Sequence, residues 1–557
     1  MTYLNNRAMK STTYLFLAVI FLMSCSSKEQ VNDTEASSDA VLGKLEHGFE
    51  LNPVVQEKFD EGLLLLHNFE YDDALTAFEA ATALDSTEVL TLWGEAMCHY
   101  KALWKLQNTD NGKAVLARLG ETREARLNSV EDPLKKGLWE VVEIMYGSGD
   151  FETRNMLIKT HLASLHKEYP SHQEIAAFYA LSLIWATENY GDGSDDLRLA
   201  ASISDQIIAV NPLHPGALHY KIHALDGPVS AADAVEAADA YAKVAADASH
   251  ALHMPSHIYL ALGQWDGVVD SNERSYDASV KRMEQLELSD GARGYHSLAW
   301  WHYGLLQQGR FTDAEVLLNE MLTHVPKDPT KGARTYLLGM QSCQLAESGG
   351  LDAQTPVDVD VDIKDLSIIS KSALSFLRAQ MAFQKADATA VGEEIDWLSS
   401  KIYMDSLNVQ DSGIAMCAAG NSRYAPTDNA IKIAQVVLCQ MQGLEALLGD
   451  NQDLFEAKMQ KAVDLEENTD FPTGPPSITK PSFEQYGEWL LGEERYEDAL
   501  VQFEKALARM PRRAKSLEGT YTALQGLDQS EEAVNVENEL QSIYNQADAE
   551  VRRFPGK

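Results

Sequence analysis

One pattern constrains this chain more than any other: the same spacing of small, aromatic and proline residues returns along it. In "GEWLLGEERYEDALVQFEKALARMP", residues 487–511, it is marked by Gly487, Tyr496, Ala499, Phe503, Ala506 and Pro511. Residues 62–86, "GLLLLHNFEYDDALTAFEAATALDS", repeat it through Gly62, Tyr71, Ala74, Phe78 and Ala81, with Ser86 where the proline would stand. Residues 302–326 match through Gly309, Phe311, Ala314 and Pro326, while residues 260–275 keep only Gly263 and Trp265. Small residues let two antiparallel helices approach, an aromatic ring fills the gap between them, and proline ends the second helix. Each helix pair leaves an apolar face that only the next pair covers, so the units stack. The expected fold class is all-α, a helix-turn-helix superhelical solenoid over most of residues 50–547.

The marks resemble those of the tetratricopeptide repeat (TPR). Three longer runs, "HALHMPSHIYLALGQWDGVVDSNE", "LHNFEYDDALTAFEAA…WGEAM" and "GPPSITKPSFEQYGEWLL…MPRRAKSLEG", resemble a largely uncharacterised family of bacterial TPR proteins carrying an HxxHMPSH run. That resemblance implies the fold and supplies no reaction. Loop-like stretches subdivide the array at residues 189–197, 348–365, 418–429 and 468–481. The expected organisation is a signal peptide (1–24), a flexible tether (25–48) and N-terminal TPR-like repeats (49–188). Central histidine-rich repeats (189–330), degenerate helical repeats (331–430) and C-terminal TPR repeats (431–557) follow. The alternation "VDVDVDI" (357–363) lacks the glycine and distal glutamate of an EF-hand, since Ile363 and Ile369 stand at those places, and reads as a solvated acidic loop.

Seven of the 15 histidines fall between residues 219 and 302, three of them in "SHALHMPSH" (249–257). In the repeats that these units resemble, the second, fifth and ninth places of each first helix line the concave face. That register implies a groove lined by His250, His253 and His257, with His219, His223 and His296 beside them. It also places His67 on the groove, and His302 in the packed seam between helices. Helix geometry adds that His250, His253 and His257 lie within about 60° of one another, and His219 and His223 about 40° apart. Imidazoles three or four residues apart can share one metal ion. His250 and His257, about 10 Å apart along an ideal helix, cannot. Pro255 starts or kinks a helix there, which either folds His250 and His253 toward His257 or separates them. Asp226, Asp247, Asp270, Asn272 and Glu273 are the polar residues that could join, with Asn272 and Glu273 expected on the groove. A site of imidazoles with few carboxylates suits zinc or copper rather than calcium or magnesium.

The N-terminus reads as an export signal. Arg7 and Lys10 precede the apolar run "YLFLAVIFLM" and then "LMSCSS", which resembles the lipobox of bacterial lipoproteins. The resemblance implies cleavage before Cys25 and lipidation of that cysteine, and hence a place in the cell envelope; which membrane is not decided by the sequence, and the outer membrane is the expected one. The net charge of −38 argues against a nucleic-acid partner. The remaining cysteines, Cys98, Cys343, Cys417 and Cys439, are too scattered for a disulfide framework; a Cys417–Cys439 bridge and free buried thiols both stay open.

These features support two functions. The first is a lipid-anchored TPR scaffold that binds a protein, peptide or small ligand in its groove, with "GYHSLAWWHYGLL" (294–306) as repeat core or binding surface. The second is a metal-binding protein or metal-dependent enzyme that uses His219, His223, His250, His253 and His257. No nucleophile elbow, HExxH or phosphate-binding loop is present, so no catalytic residue is assigned and the balance leans against an enzyme. Glycan-binding lipoproteins of the SusD type share the length and anchor, but the regular C-terminal repeats fit them poorly. Without metal, the same histidines would form a pH-sensitive binding surface.

Overall fold

The computed structural model describes residues 41–187, 194–349, 361–407 and 426–553. The signal segment, Cys25, the tether up to residue 40, Cys417 and most of the "VDVDVDI" run lie outside them.

Two phenylalanines show why this sequence forms helix pairs. Phe78, fully buried, sits in helix Tyr71–Leu84. A Cβ on Gly62, in the preceding helix Pro53–His67, would come within 2.9 Å of its ring, and one on Gly94, in the following helix Val89–Cys98, within 2.4 Å. One ring therefore closes the gap on both sides, and only glycine leaves it room. Phe503 does the same between Gly487 and Gly519, at 2.8 and 2.2 Å. Helix starts carry matching signals: Asn52 accepts from the Val54 N–H ahead of Pro53, and Asp132 accepts from Leu134 and Lys135 ahead of Pro133.

The turn inside seven of the pairs has one geometry. Phe69, Gly263, Gly309, Ala386, Asp450, Glu494 and Asp528 all take positive φ, between 51° and 67°. Each stands two residues ahead of a second helix, beginning at Tyr71, Trp265, Phe311, Ala388, Gln452, Tyr496 and Ser530 respectively. The register thus continues through residues 368–406, 428–467 and 514–543, where the turn position holds no glycine. Apart from 3-10 turns, the only strands among the described residues are the short hairpin Tyr100–Lys101 and Leu106–Gln107. The fold is an all-α TPR-type helical solenoid.

The array does not stay open. Its C-terminal repeats return to the central ones: the Trp265 indole donates to the Arg512 carbonyl at 2.9 Å, and the Ala514 N–H to the Gln307 side chain at 3.0 Å. Asp548 N–H reaches the Gly309 carbonyl at 3.0 Å. At the centre of this seam the buried Arg513 guanidinium holds Glu484 at 2.6 and 3.0 Å and Glu347 at 2.6 Å, and donates to the Tyr303 hydroxyl at 2.5 Å. Leu260, Trp265, Leu306, Met510, Leu517 and Leu540 share one apolar cluster there.

Residues 41–48, expected in the tether, are docked instead. Lys44 N–H donates to the Leu213 carbonyl at 2.9 Å, Asn68 donates to the Leu42 carbonyl at 3.1 Å, and His47 bonds Asp60 at 2.8 Å. Leu42 and Phe49 are buried, which polar neighbours in the sequence conceal. Cys98, Cys343 and Cys439 are free and buried, and burial pushes the Cys343 thiol up to about 12.

Candidate functional site

The interruption at Pro255 decides where the histidines go. Helix Ser249–His253 stops at Met254, and Pro255–Ala261 begins at once. The proline has no N–H to give, and His257 N–H turns to the Met254 carbonyl at 3.2 Å, a tighter turn than the α-helical bond. His253 and His257 are thereby brought together, their rings near perpendicular and their Nε2 atoms 3.1 Å apart. His250 turns away from them toward His219, with Nε2 atoms 3.2 Å apart. The break both gathers and separates, and yields two neighbouring sets.

In the first set His296, from helix Tyr295–Gln307, brings its Nε2 to 2.9 Å from that of His253. Each ring is fixed from behind through Nδ1. His253 Nδ1 lies 2.6 Å from the Asn272 side-chain oxygen, His257 Nδ1 lies 2.7 Å from Asp226, and His296 Nδ1 lies 2.9 Å from the Tyr336 hydroxyl. The Asn272 amide nitrogen donates to the Val268 carbonyl at 2.7 Å, so its oxygen is the atom that faces His253. His253 thus carries hydrogen on the Nδ1 that faces Asn272, and its Nε2 is the atom turned toward His257 and His296. Burial drives the His253 ring well below the usual imidazole range, with His296 and His257 adding to the shift. Trp300, buried, packs its ring on His257 at 4.5 Å and on His253 at 4.9 Å.

The second set joins His219 and His223, one turn apart on helix Pro215–Ala224, to His250. Within each set the ligand-capable atoms lie within 4.8 Å of one another. His219 Nδ1–H donates to the His67 carbonyl at 2.8 Å, and burial holds its ring down to about 3. The sets touch: ring centres are 6.0 Å apart for His223 and His257, and 6.2 Å for His250 and His253. His250 and His296 are half-buried and the other four rings are buried.

Not every expected residue arrives. His67 is fully buried and does not line a groove: its Nε2–H donates to Glu174 at 2.7 Å, and Tyr220 donates to its Nδ1 at 2.8 Å. His214 caps its own helix through Nδ1 and places Nε2 3.3 Å from the other Glu174 oxygen. Burial alone would raise Glu174, but His67 and His214 outweigh it and hold the carboxyl far below its usual range. His67 is bonded through both nitrogens, while His214 Nε2 and the Glu174 oxygen it faces make an ion pair without a hydrogen bond, and the trio reads as an internal ion network. Asn272 and Asp226 join the cluster as supports. Glu273 is exposed, Asp270 is exposed and faces Arg274 at 3.6 Å, and Asp247 accepts from the Val41 N–H at 2.6 Å. His302 is in the seam as expected, bonded to Gln344 at 2.9 Å. The aromatic run 294–306 is largely core, with Tyr295, Trp300 and Tyr303 buried. Tyr336 and Phe69 were invisible as site residues, because their side chains arrive from another repeat and from a turn, whereas Trp300 lies in the aromatic run already singled out.

No family model and no curated protein matches this chain. Among solved structures it is similar to a human IFIT1 dimer (12% identity, 86% of this chain and 89% of that chain, TM-score 0.36). It is also similar to yeast Tom70 (13%, 86% and 90%, TM-score 0.29) and to the TPR domain of P58(IPK) (12%, 86% and 99%, TM-score 0.21). These likenesses are of fold.

Proposed function

We propose that this protein is a metal-binding TPR protein, in which His253, His257 and His296 hold one zinc or copper ion through Nε2. The observation that carries this reading is the convergence of the Nε2 atoms: that of His253 lies 3.1 Å from that of His257 and 2.9 Å from that of His296, with each Nδ1 held from behind. A cation among them takes all three as ligands. Bonds of about 2.0–2.1 Å to one ion put ligand nitrogens about 3.3 Å apart, close to the 2.9 and 3.1 Å seen here. Backing of each Nδ1 by a carboxylate, amide or hydroxyl oxygen is how metal-bound imidazoles are commonly oriented. Three protein ligands leave a coordination position for water or another small ligand, on the side where His296 is half-buried.

The surrounding repeats make the protein a helical scaffold, and a protein or peptide partner docked on them is part of this reading. The −38 charge favours such partners over nucleic acid. Attachment to a bacterial outer membrane through Cys25 is supported by the apolar run and the Leu22–Cys25 segment alone. The test is elemental analysis of the chain purified without a tag or chelator, beside a His253→Ala/His257→Ala variant. Near-stoichiometric zinc or copper in the parent, lost in the variant, is the expected result. No metal as purified and none after adding it back would reject the reading.

A further inference from the structure

The second histidine set repeats the chemistry of the first with one addition. His219 Nδ1 is committed as a donor to the His67 carbonyl, so its Nε2 lone pair faces His250, 3.2 Å away. His223, 2% exposed, offers two ring nitrogens, and neither finds a hydrogen-bond partner. An imidazole buried with both nitrogens unpartnered is costly and rare. It becomes favourable when one nitrogen ligates an ion, and its ring centre is 4.7 Å from that of His219 and 6.4 Å from that of His250.

The wall beside this set is also unusual. Phe69 occupies the left-handed turn position that glycine fills at 263 and 309, with φ of 58°. A bulky aromatic there is strained, and such strain persists only where the surroundings hold it. Its ring lies over the three imidazoles, 4.3 Å from His219, 5.6 Å from His250 and 5.9 Å from His223. Phe69 therefore gives the set an apolar cover, as Trp300 does for its neighbour.

We propose that His219, His223 and His250 bind a second metal ion beside the first, so that six imidazoles form a two-metal centre, and that the ion taken by the pair is cuprous copper. This rests on the assignment of His253, His257 and His296 as a metal site. The choice of ion follows from charge. All six ligands are neutral, and the carboxylate of Asp226 stands behind one ring only. Two divalent ions would bring four positive charges into a largely buried cluster, and two cuprous ions bring half of that. Imidazole nitrogens suit copper as well as zinc, and a low-dielectric interior penalises each added charge, which favours the monovalent ion.

The test is an anaerobic titration of the purified full chain with cuprous ion against a chromophoric competing chelator, counting equivalents bound. The parent is expected to take two, His223→Asn one, and His253→Asn/His296→Asn at most one. A parent that takes one equivalent, undiminished in His223→Asn, overturns the second site and leaves the first standing. A parent that takes none overturns both. Helical circular dichroism of each variant checks folding, and the count in the parent decides the proposal if a variant fails to fold.

Discussion

Replacing Asp226 by asparagine tests the site without touching a ligand. Asp226 is 2% exposed and meets the His257 Nδ1–H at 2.7 Å. Asn keeps the shape and one acceptor oxygen and removes the charge. Taking a metal–nitrogen bond of about 2.0 Å and the width of an imidazole, the Asp226 oxygen would lie about 6–7 Å from an ion on His257 Nε2. A single negative charge and a zinc ion at that distance attract by about 5 kcal/mol at an effective dielectric of about 20, and by about 1.3 kcal/mol in bulk water. Outer partners of metal-bound histidines are typically worth about 10–100-fold in affinity, about 1.4–2.7 kcal/mol, which falls inside that bracket. Asp226→Asn is thus expected to weaken zinc binding about 10–100-fold when titrated against a chromophoric chelator at neutral pH, with one equivalent still bound at saturation. Unchanged affinity would refute the reasoning. So would a variant whose stability falls equally with and without zinc while its affinity stays that of the parent.

Gly519→Ala would drive a Cβ into the Phe503 ring, 2.2 Å away, and is expected to lower stability by about 1–3 kcal/mol, read as a drop in the urea midpoint. Arg513→Ala leaves Glu484 and Glu347 buried without a counter-charge and should cost about 3–5 kcal/mol. Burial already raises Glu347, so Glu347→Gln should be far milder in the same denaturation assay. Glu466 is buried and its carboxyl is raised to about 7, mainly by burial. Its folded value lies above the unfolded one, so its contribution is fully present below the unfolded range near 4.5 and is lost as pH rises through about 7. That loss amounts to about 3 kcal/mol, and Glu466→Gln should flatten the stability profile between mildly acidic and mildly alkaline pH. An unchanged profile would show that Glu466 titrates normally.

Much of the helical array was legible because its determinants are local. Gly62, Phe78, Gly487 and Phe503 announce their packing through spacing alone, and the structure puts each ring against the expected glycine. Repeats whose turn residue is Ala386, Asp450 or Asp528 gave no such sign, since nothing in those side chains marks a left-handed backbone. The return of residues 510–548 onto residues 260–312 was equally hidden. Arg513, Glu347 and Glu484 come from three separate segments, and their union depends on the curvature of the whole array.

The candidate site divides the same way. His219, His223, His250, His253 and His257 were recognisable by density and by helical spacing, and the structure brings all five together with His296. Which rings pair was not recognisable, because it turns on how Met254 and Pro255 break the helix. His67 shares the helical pattern of a groove residue, yet Glu174 and Tyr220, each more than 100 positions away, draw it inside. Supports such as Tyr336 leave no trace in any short window.

The claim that a metal ion organises the three rings is tested most directly by anomalous diffraction from crystals of the zinc-loaded protein, collected on either side of the metal edge. A single strong peak within about 2.0–2.1 Å of the Nε2 atoms of His253, His257 and His296 is the predicted result. A loaded crystal with no peak there, the three rings unmoved and the metal elsewhere, would contradict it.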